Sequence, residues 1–508
     1  MKRTAIILMI ITIISKVVGF LRESAMAYYF PTTSAVSNAF VQAQKLPVVL
    51  ISLLAASITT SFIPIYNRVV EKDGKVKGDV FTSNANNISV ALTIILLVIL
   101  EIFAPFVVKL FAPGFTGYTR ELTISFMRLS MIAMIPSIMA CVYRGYLNAN
   151  DHFLVQNLQG FILSLVLIIS MVISTKYNND MIVGIGLLVA SSLQYLPFIP
   201  ALKAKGYKYY PVFDIKDENI KMIIILSIPV LLGVAVNQIN AVVDQSLVTL
   251  FSDKGATILN YSFKLVEFVS GVVITNISIL VYPQFSKFVI GNKIDNLKEA
   301  VMGSFSMISV LVFPCTVGLM ALSHPIIQLL YYRGEFTVHD VDIAAAALFF
   351  YAIGIMGIAV KEIISKVFYS MNDTKTPTIN SVWMVLVNIL GDILLGKMYG
   401  IAGLAMATSI SSLFGSITMI MRFRKKLGSF KSVESYIKDI IKMFIASIVM
   451  GLVAYFLYTF MASSLNSNLA LMVSIAVSGL SYLGLLAVLK VNELNLFLDL
   501  FKKKIRKK

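Results

Sequence analysis

The chain has 508 residues, 58% of them hydrophobic and only 14% charged, with a mean hydropathy of +0.84, where an ordinary globular protein carries about 25% charge. That balance excludes a soluble enzyme. Lys and Arg (43) exceed Asp and Glu (26) by 17, a surplus that would suggest nucleic acid in a soluble chain but must here first be placed relative to a membrane.

A bilayer core of about 30 Å needs about 20 apolar residues per helix, and hydrocarbon tolerates no open sheet edge. Fourteen segments meet this demand: residues 4–30, 34–66, 86–112, 121–147, 154–176, 181–202, 219–250, 257–286, 299–324, 338–370, 376–397, 400–422, 438–462 and 468–490. The first resembles a signal peptide after Lys2-Arg3, but Lys16 and Arg22 interrupt it and no small-residue cleavage site follows, so it is expected to be a span. An even count puts both termini on one side. Of the Lys and Arg, 31 fall on that side, around Arg68 to Lys77, Lys203 to Lys221, Arg422 to Lys442 and in the tail Lys502 to Lys508. Six fall opposite (Lys109, Arg120, Lys176, Lys254, Arg333 and Lys397), and Lys16, Arg22, Lys45, Arg128, Lys264 and Lys361 lie within spans. The positive-inside rule therefore predicts cytoplasmic termini, and the surplus charge needs no nucleic-acid partner. The tail is foremost a topology signal, with anionic lipid a secondary contact. Cys141 and Cys315 both sit in apolar runs and offer no disulfide framework or thiolate metal site.

The chain repeats itself. Lys45-Leu46 precedes Pro64-Ile65-Tyr66-Asn67-Arg68 by the spacing that separates Lys264-Leu265 from Pro283-Gln284-Phe285-Ser286-Lys287, an offset of 219 residues. Pro105, Leu110-Phe111, Gly114 and Phe115-Thr116 match Pro325, Leu330-Tyr331, Gly334 and Phe336-Thr337 at 220 or 221, and Tyr146 to Asp151 matches Phe368 to Asp373 at 222. Spans 1 to 6 and 7 to 12 are thus predicted to be two copies in the same orientation, related by an axis along the membrane normal and facing each other across a cavity. The expected organisation is a first lobe over 1–202, a cytoplasmic linker over 203–218, a second lobe over 219–426, two appended spans over 427–490 and a basic tail over 491–508.

Charges within spans are costly unless they face a cavity or a partner. The first span carries Lys16, Arg22 and Glu23, and the eighth carries Lys264 and Glu267. Lys16 and Arg22 are six residues apart, roughly 240° around a helix, so they share a broad wet side. Glu23 can partly neutralise Arg22, and Lys264 can pair with Glu267 at i, i+3. The remaining positive surplus points to an anion site, with Arg22 as a planar fork for phosphate and the lysines as point charges; interlobe salt bridging or snorkelling is the structural alternative. Lys45 is read as a snorkelling side chain and Lys361-Glu362 as an ion pair.

A second cluster is rich in oxygen: Asp244, Asn388 with Asp392 at i, i+4, and Thr408. It suits a small hard cation such as Na⁺, a proton, or a polar network that holds helices together. Gly391 to Lys397 has phosphate-loop spacing, but Met398 replaces the required Ser or Thr at the end of a span. His152, His324 and His339 have no ligand spacing, and no nucleophile-base pair occurs, so no catalytic reaction is expected.

Several of these stretches are familiar in combination. Ser15-Lys16-Val17-Val18-Gly19-Phe20-Leu21-Arg22-Glu23, Ala39-Phe40 and Lys45-Leu46-Pro47 resemble the opening of the lipid II flippases, the MurJ or MviN family. Val236 to Asn240 with Asp244, Leu259 to Leu265, Tyr332 to Thr337 and Phe368 to Pro377 resemble its later motifs, so the likeness covers nearly the whole chain. It implies an all-α, fourteen-helix, two-lobed transporter of the multidrug/oligosaccharidyl-lipid/polysaccharide exporter superfamily in the bacterial cytoplasmic membrane. Its implied cargo is the undecaprenyl-pyrophosphate-linked peptidoglycan precursor, moved to the outer leaflet by alternating access. The family's cationic cavity residues fall on Lys16, Arg22 and Lys264, with the neighbouring acid at Glu23. A sodium site that some members carry falls on Asp244, Asn388, Asp392 and Thr408.

The chain departs from the family pattern where lysines replace two cavity arginines, at Lys16 and Lys264, where Asn38 stands at an acidic position, and near Ile51, where some members have an arginine. No cofactor is expected beyond a coupling Na⁺ or proton. The expected partners are the lipid-linked precursor, membrane lipids and cell-wall synthesis enzymes, and the chain is expected to act as a monomer. Export of another polyprenyl-linked saccharide, cation-coupled multidrug antiport and a non-transport scaffold for wall synthesis are the competing readings; the antiporter would favour a cavity richer in acid than base, the reverse of this one.

Overall fold

The computed structural model describes residues 2–32, 34–150, 152, 154–251, 255–371, 373–430 and 433–491. Lys254 and the basic tail beyond residue 491 lie outside them. Among the described residues every regular element is helical, as a chain that must satisfy its backbone within hydrocarbon requires. In order these are α1 (Lys2–Tyr29), α2 (Ala35–Ile102), α3 (Ala104–Phe111), α4 (Gly117–Ile132), α5 (Met134–Ala149), α6 (Leu154–Tyr177), α7 (Met181–Leu193), α8 (Phe198–Ala204), α9 (Glu218–Phe251), α10 (Gly255–Val269), α11 (Thr275–Ile290), α12 (Ile294–Ala321), α13 (Ser323–Tyr331), α14 (Val338–Ile353), α15 (Ile355–Ser370), α16 (Lys375–Leu427), α17 (Val433–Ala462) and α18 (Ser467–Val488). One π-helical turn, Ser270–Ile274, joins α10 to α11.

Each of the fourteen apolar segments is helical over nearly all of its length. Eleven described stretches are long and apolar enough to cross a bilayer. α2 and α16 hold 68 and 53 residues, far more than the roughly 20 that one crossing takes. Each is broken by one glycine, Gly74 at φ +83° and Gly400 at φ +58°. Glycine alone adopts this backbone without a Cβ penalty, so two arms can meet with no loop between them. Ser34 caps α2 by accepting from the Val36 N–H at 3.0 Å, and Asn466 caps α18 by accepting from the Asn468 N–H at 2.9 Å.

The chain divides into two compact units. The first comprises Met1–Thr257 with Arg333–Thr337, and the second Ile258–Tyr332 with Val338–Lys508. α9, the seventh span, therefore packs with the first six.

The core of the first unit's polar end is aromatic: Phe62, Tyr66, Phe81, Tyr143, Tyr146 and Phe198 are all buried together. The extended segment 207–214 is laced along α2 next to this core. Asn84 donates to the Asp214 carbonyl and accepts from its N–H, Asn87 donates to the Val212 carbonyl, and the N–H groups of Tyr210 and Lys208 donate to Ser83 Oγ and Asp79 Oδ2. Side chains of a helix thus stand in for a partner strand.

Three contacts in this unit join one copy of the repeat to the other. Gly114 lies against the Thr249 backbone and Gly334, at φ +58°, against the Tyr28 backbone, both so close that a Cβ could not be placed. Positions 28 and 249 differ by 221 and positions 114 and 334 by 220. The loop glycine of each copy rests on the first helix of the other. Thr257 Oγ1 donates to Asn38 Oδ1 at 3.1 Å, and these two residues are 219 apart, the offset of the sequence repeat.

In the second unit, Gly354 and Gly357 let α15 approach the backbone of α16 at Ser409 and Ser412, as small residues do between membrane helices. Ser411 donates across α16 to the Met384 carbonyl at 2.7 Å. The last two helices pack on α12, where the buried Tyr482 hydroxyl donates to the Val310 carbonyl at 2.9 Å.

Candidate substrate and cation sites

Lys16 lies half-buried on α1. Two turns on, Arg22 Nη2 meets Glu23 Oε1 at 2.5 Å, the side chains being 14% and 6% exposed. The Arg22 Nε–H is buried and donates to no acceptor among the described residues. The guanidinium is half committed: one arm is neutralised by its neighbour, and another donor remains for an incoming oxyanion. Breaking a buried ion pair strands the partner charge, so the unused donor, rather than exchange for Glu23, is what Arg22 has to offer an anion.

On α10, Lys264 Nζ bonds Glu267 Oε2 at 2.7 Å, the i, i+3 pairing expected from the sequence. Asn38 makes a structural tie: its amide donates to the Thr32 and Ser34 carbonyls at 2.9 and 3.2 Å while its oxygen accepts from Thr257. Glu362 makes its direct ion pair one turn forward, with Lys366 at 2.9 Å, and faces Lys361 only as a nearby charge, so the expected Lys361–Glu362 contact is looser than an ion pair.

Asp244 is buried on α9 in the first unit. In the second, Asn388 and Asp392 are 1% and 0% exposed on the first arm of α16. Thr408, on the second arm, donates its hydroxyl to the Leu404 carbonyl at 3.1 Å, leaving oxygen lone pairs. Both polar atoms of the Asn388 amide are buried without a hydrogen-bond partner. An orphaned buried carboxamide next to a buried carboxylate fits the oxygen donor set of a small hard cation. No group of three His, Cys, Asp or Glu residues suited to a metal occurs among the described residues.

A cavity of about 480 Å³ opens in the first unit among α2, α4, α5, α6 and α7. Ile51 and Ser52 line it, and so does Arg144, whose Nη2 donates to Gln159 Oε1 at 2.6 Å and whose Nε is buried without an acceptor. By charge distribution Arg144 counts among the 31 basic residues of the terminal side, and the structure places it in a cavity lining. The sequence signal was its place inside the span 121–147 with no acidic residue within a turn on either side.

A sequence model described as "Lipid II flippase MurJ" matches residues 26–476. The chain belongs to the MurJ family. A probable lipid II flippase MurJ of Rickettsia prowazekii is 27% identical over 452 residues, 88% of this chain and 87% of that protein. The Thermotoga maritima relative of the same description is 24% identical over 484 residues, 95% of each chain. A solved lipid II flippase MurJ in an inward closed conformation superposes with a TM-score of 0.81 at 26% identity, covering 95% of this chain and 98% of that one. An inward-facing MATE family multidrug resistance transporter of the MOP superfamily shares the fold, with a TM-score of 0.69 at 17% identity over 84% of this chain and 99% of that one. The MurJ match begins after Lys16, Arg22 and Glu23 and includes Asn38, Asp244, Lys264, Asn388, Asp392 and Thr408.

Proposed function

We propose that the chain translocates lipid II, the polyprenyl-diphosphate-linked peptidoglycan precursor, from the inner to the outer leaflet by alternating access. The MurJ match over residues 26–476 carries this reading. Lys16 and Arg22 in the first unit, and Lys264 in the second, are the cations offered to the diphosphate of lipid II. In α1 the Arg22 guanidinium offers the diphosphate the donor that Glu23 leaves unused, which lowers the cost of carrying a charged head past hydrocarbon. The polyprenyl tail stays in lipid. Both termini face the cytoplasm, as the distribution of Lys and Arg supports. Movement of negative charge outward is then favoured by about 2.3 kcal/mol per charge per 100 mV of inside-negative potential.

Asn388, Asp392 and Thr408 on α16 would hold a Na⁺ or take up a proton, and Asp244 on α9 offers the same oxygen chemistry within the first unit. When bound, such a cation supplies compensating charge for buried oxygen atoms. The chain's own part is to keep these oxygens dry and oriented on α9 and α16, as the burial of Asp392 and the orphaned Asn388 amide support.

The deciding experiment depletes a bacterial host of its own flippase and supplies this chain, scoring lipid II in the outer leaflet. Wild type is expected to rescue, and Arg22→Ala, at equal protein level in the membrane, to fail. Full rescue by Arg22→Ala removes Arg22 from the mechanism. Failure of a correctly inserted wild type would transfer the reading to another polyprenyl-linked saccharide.

A further inference from the structure

Among the described residues Arg144 is a charged group without a counter-ion. It sits on α5 within the 480 Å³ cavity of the first unit, and among the described residues its side-chain hydrogen bond goes to a neutral amide, Gln159. No carboxylate pairs with it there, and its buried Nε has no acceptor. A guanidinium in a membrane bundle is expensive unless an anion or water completes it.

The cavity's other polar groups indicate which anion. Gln44 donates its amide to the Phe40 carbonyl, which leaves its oxygen as an acceptor, whereas Gln159 accepts from Arg144, which leaves its amide as a donor. Gln194 and Ser191 add further donor and acceptor capacity to the lining. A diphosphate only accepts hydrogen bonds and gains nothing from acceptor groups. A peptide both donates and accepts along its amides and ends in a carboxylate that matches the guanidinium fork. The volume lies in the range of ordinary ligand pockets.

We propose that this cavity binds the peptide portion of the lipid-linked precursor, with Arg144 holding a peptide carboxylate and Gln159 fixing the guanidinium in place. The proposal rests on the flippase reading. It assigns Arg144 a task separate from Arg22: Arg22 reads the diphosphate, and Arg144 reads the stem peptide.

The test uses full-length protein in nanodiscs and four probes: lipid II, lipid II with its peptide carboxylates amidated, undecaprenyl diphosphate, and phosphatidylglycerol. Wild type is expected to bind lipid II about tenfold more tightly than the amidated form, the worth of one charge-assisted hydrogen bond. Arg144→Gln should abolish that discrimination while leaving undecaprenyl diphosphate binding unchanged. Arg144→Lys keeps the charge but loses the fork, and should retain part of it. Arg22→Ala should weaken lipid II and undecaprenyl diphosphate alike. Equal wild-type affinity for the free and amidated peptides overturns the proposal without any variant, so a misfolded Arg144→Gln cannot shelter it. An equal loss of lipid II and undecaprenyl diphosphate in Arg144→Gln would make Arg144 a diphosphate ligand and likewise overturn it. A loss confined to phosphatidylglycerol would overturn it in favour of a lipid-headgroup site. If wild type binds neither lipid II nor undecaprenyl diphosphate, the flippase reading falls and the peptide site with it.

Discussion

Asp373 shows how one carboxylate can hold a helical hairpin closed. It precedes α16, where its Oδ1 accepts from the Thr376 N–H at 3.0 Å and its Oδ2 from Thr376 Oγ1 at 2.9 Å. Lys426, at the far end of the second arm, reaches the same oxygen at 2.5 Å. Burial alone would raise this carboxyl, but the bonds from Lys426 and Thr376 outweigh it and hold the group below the ordinary carboxylate value. A depressed acid contributes stability above its unfolded pKa and loses it as pH falls through the folded one. Asp373→Ala should therefore cost about 1 kcal/mol at pH 7, the usual worth of a helix cap. In detergent melts the gap to wild type should narrow toward pH 3, and a gap independent of pH would show that ionisation of Asp373 contributes nothing. The residue scale was partly legible in sequence. The Lys264–Glu267 pair and the neutralisation of Arg22 by Glu23 follow from spacing. Arg144 escaped because a Lys or Arg near a span end reads equally well as a topology signal, and only the neighbouring helices reveal a cavity there.

At the scale of elements, hydrocarbon enforces apolar stretches of fixed length, so the helices were legible almost end to end. The joints were not. Gly74 and Gly400 bend α2 and α16 through a single residue, and a glycine in sequence does not announce its φ. The docking of segment 207–214 on α2 was equally hidden, although Asp79, Ser83, Asn84 and Asn87 recur at helical spacing as a polar stripe. Asp79 lies in the charged stretch outside the apolar spans. Burial pushes its carboxyl above the ordinary value, against the opposing pull of the Lys208 N–H and the Lys75 charge. The sign is opposite to that of Asp373: a raised acid favours the folded state at low pH, and that stability is lost as pH rises through the folded pKa. Asp79→Asn keeps an oxygen for the Lys208 N–H and removes the charge. It should match or exceed wild type in thermal stability at pH 8 and lose ground relative to wild type at pH 5; parallel pH profiles for the two proteins would refute this.

For the whole molecule, the repeat supplies both the architecture and a set of matched contacts. Asn38 and Thr257 occupy equivalent places in the two copies and bond to each other, while Gly114 and Gly334 make corresponding approaches to Thr249 and Tyr28. Alternating access requires some contacts to open, and these reciprocal contacts within the first unit are the ones to test. Cross-linking Asn38→Cys to Thr257→Cys in a background lacking Cys141 and Cys315 should stop lipid II flipping, and cleavage of the link should restore it. Continued flipping with the link intact would mean that this contact never opens. The docked segment 207–214 also sets a timetable for biosynthesis. Its bonds reach back 125 to 130 residues, from Val212 to Asn87 and from Asp214 to Asn84. At ribosomal rates of about 5–20 residues per second the stripe on α2 emerges between about 6 and 26 seconds before its partner. Amides, a hydroxyl and a carboxylate can wait in water during that interval without attracting a stray helix. An apolar stripe at the same place would be sticky for the whole delay, so the polar character of this seam lets the nascent chain be threaded through the membrane in order.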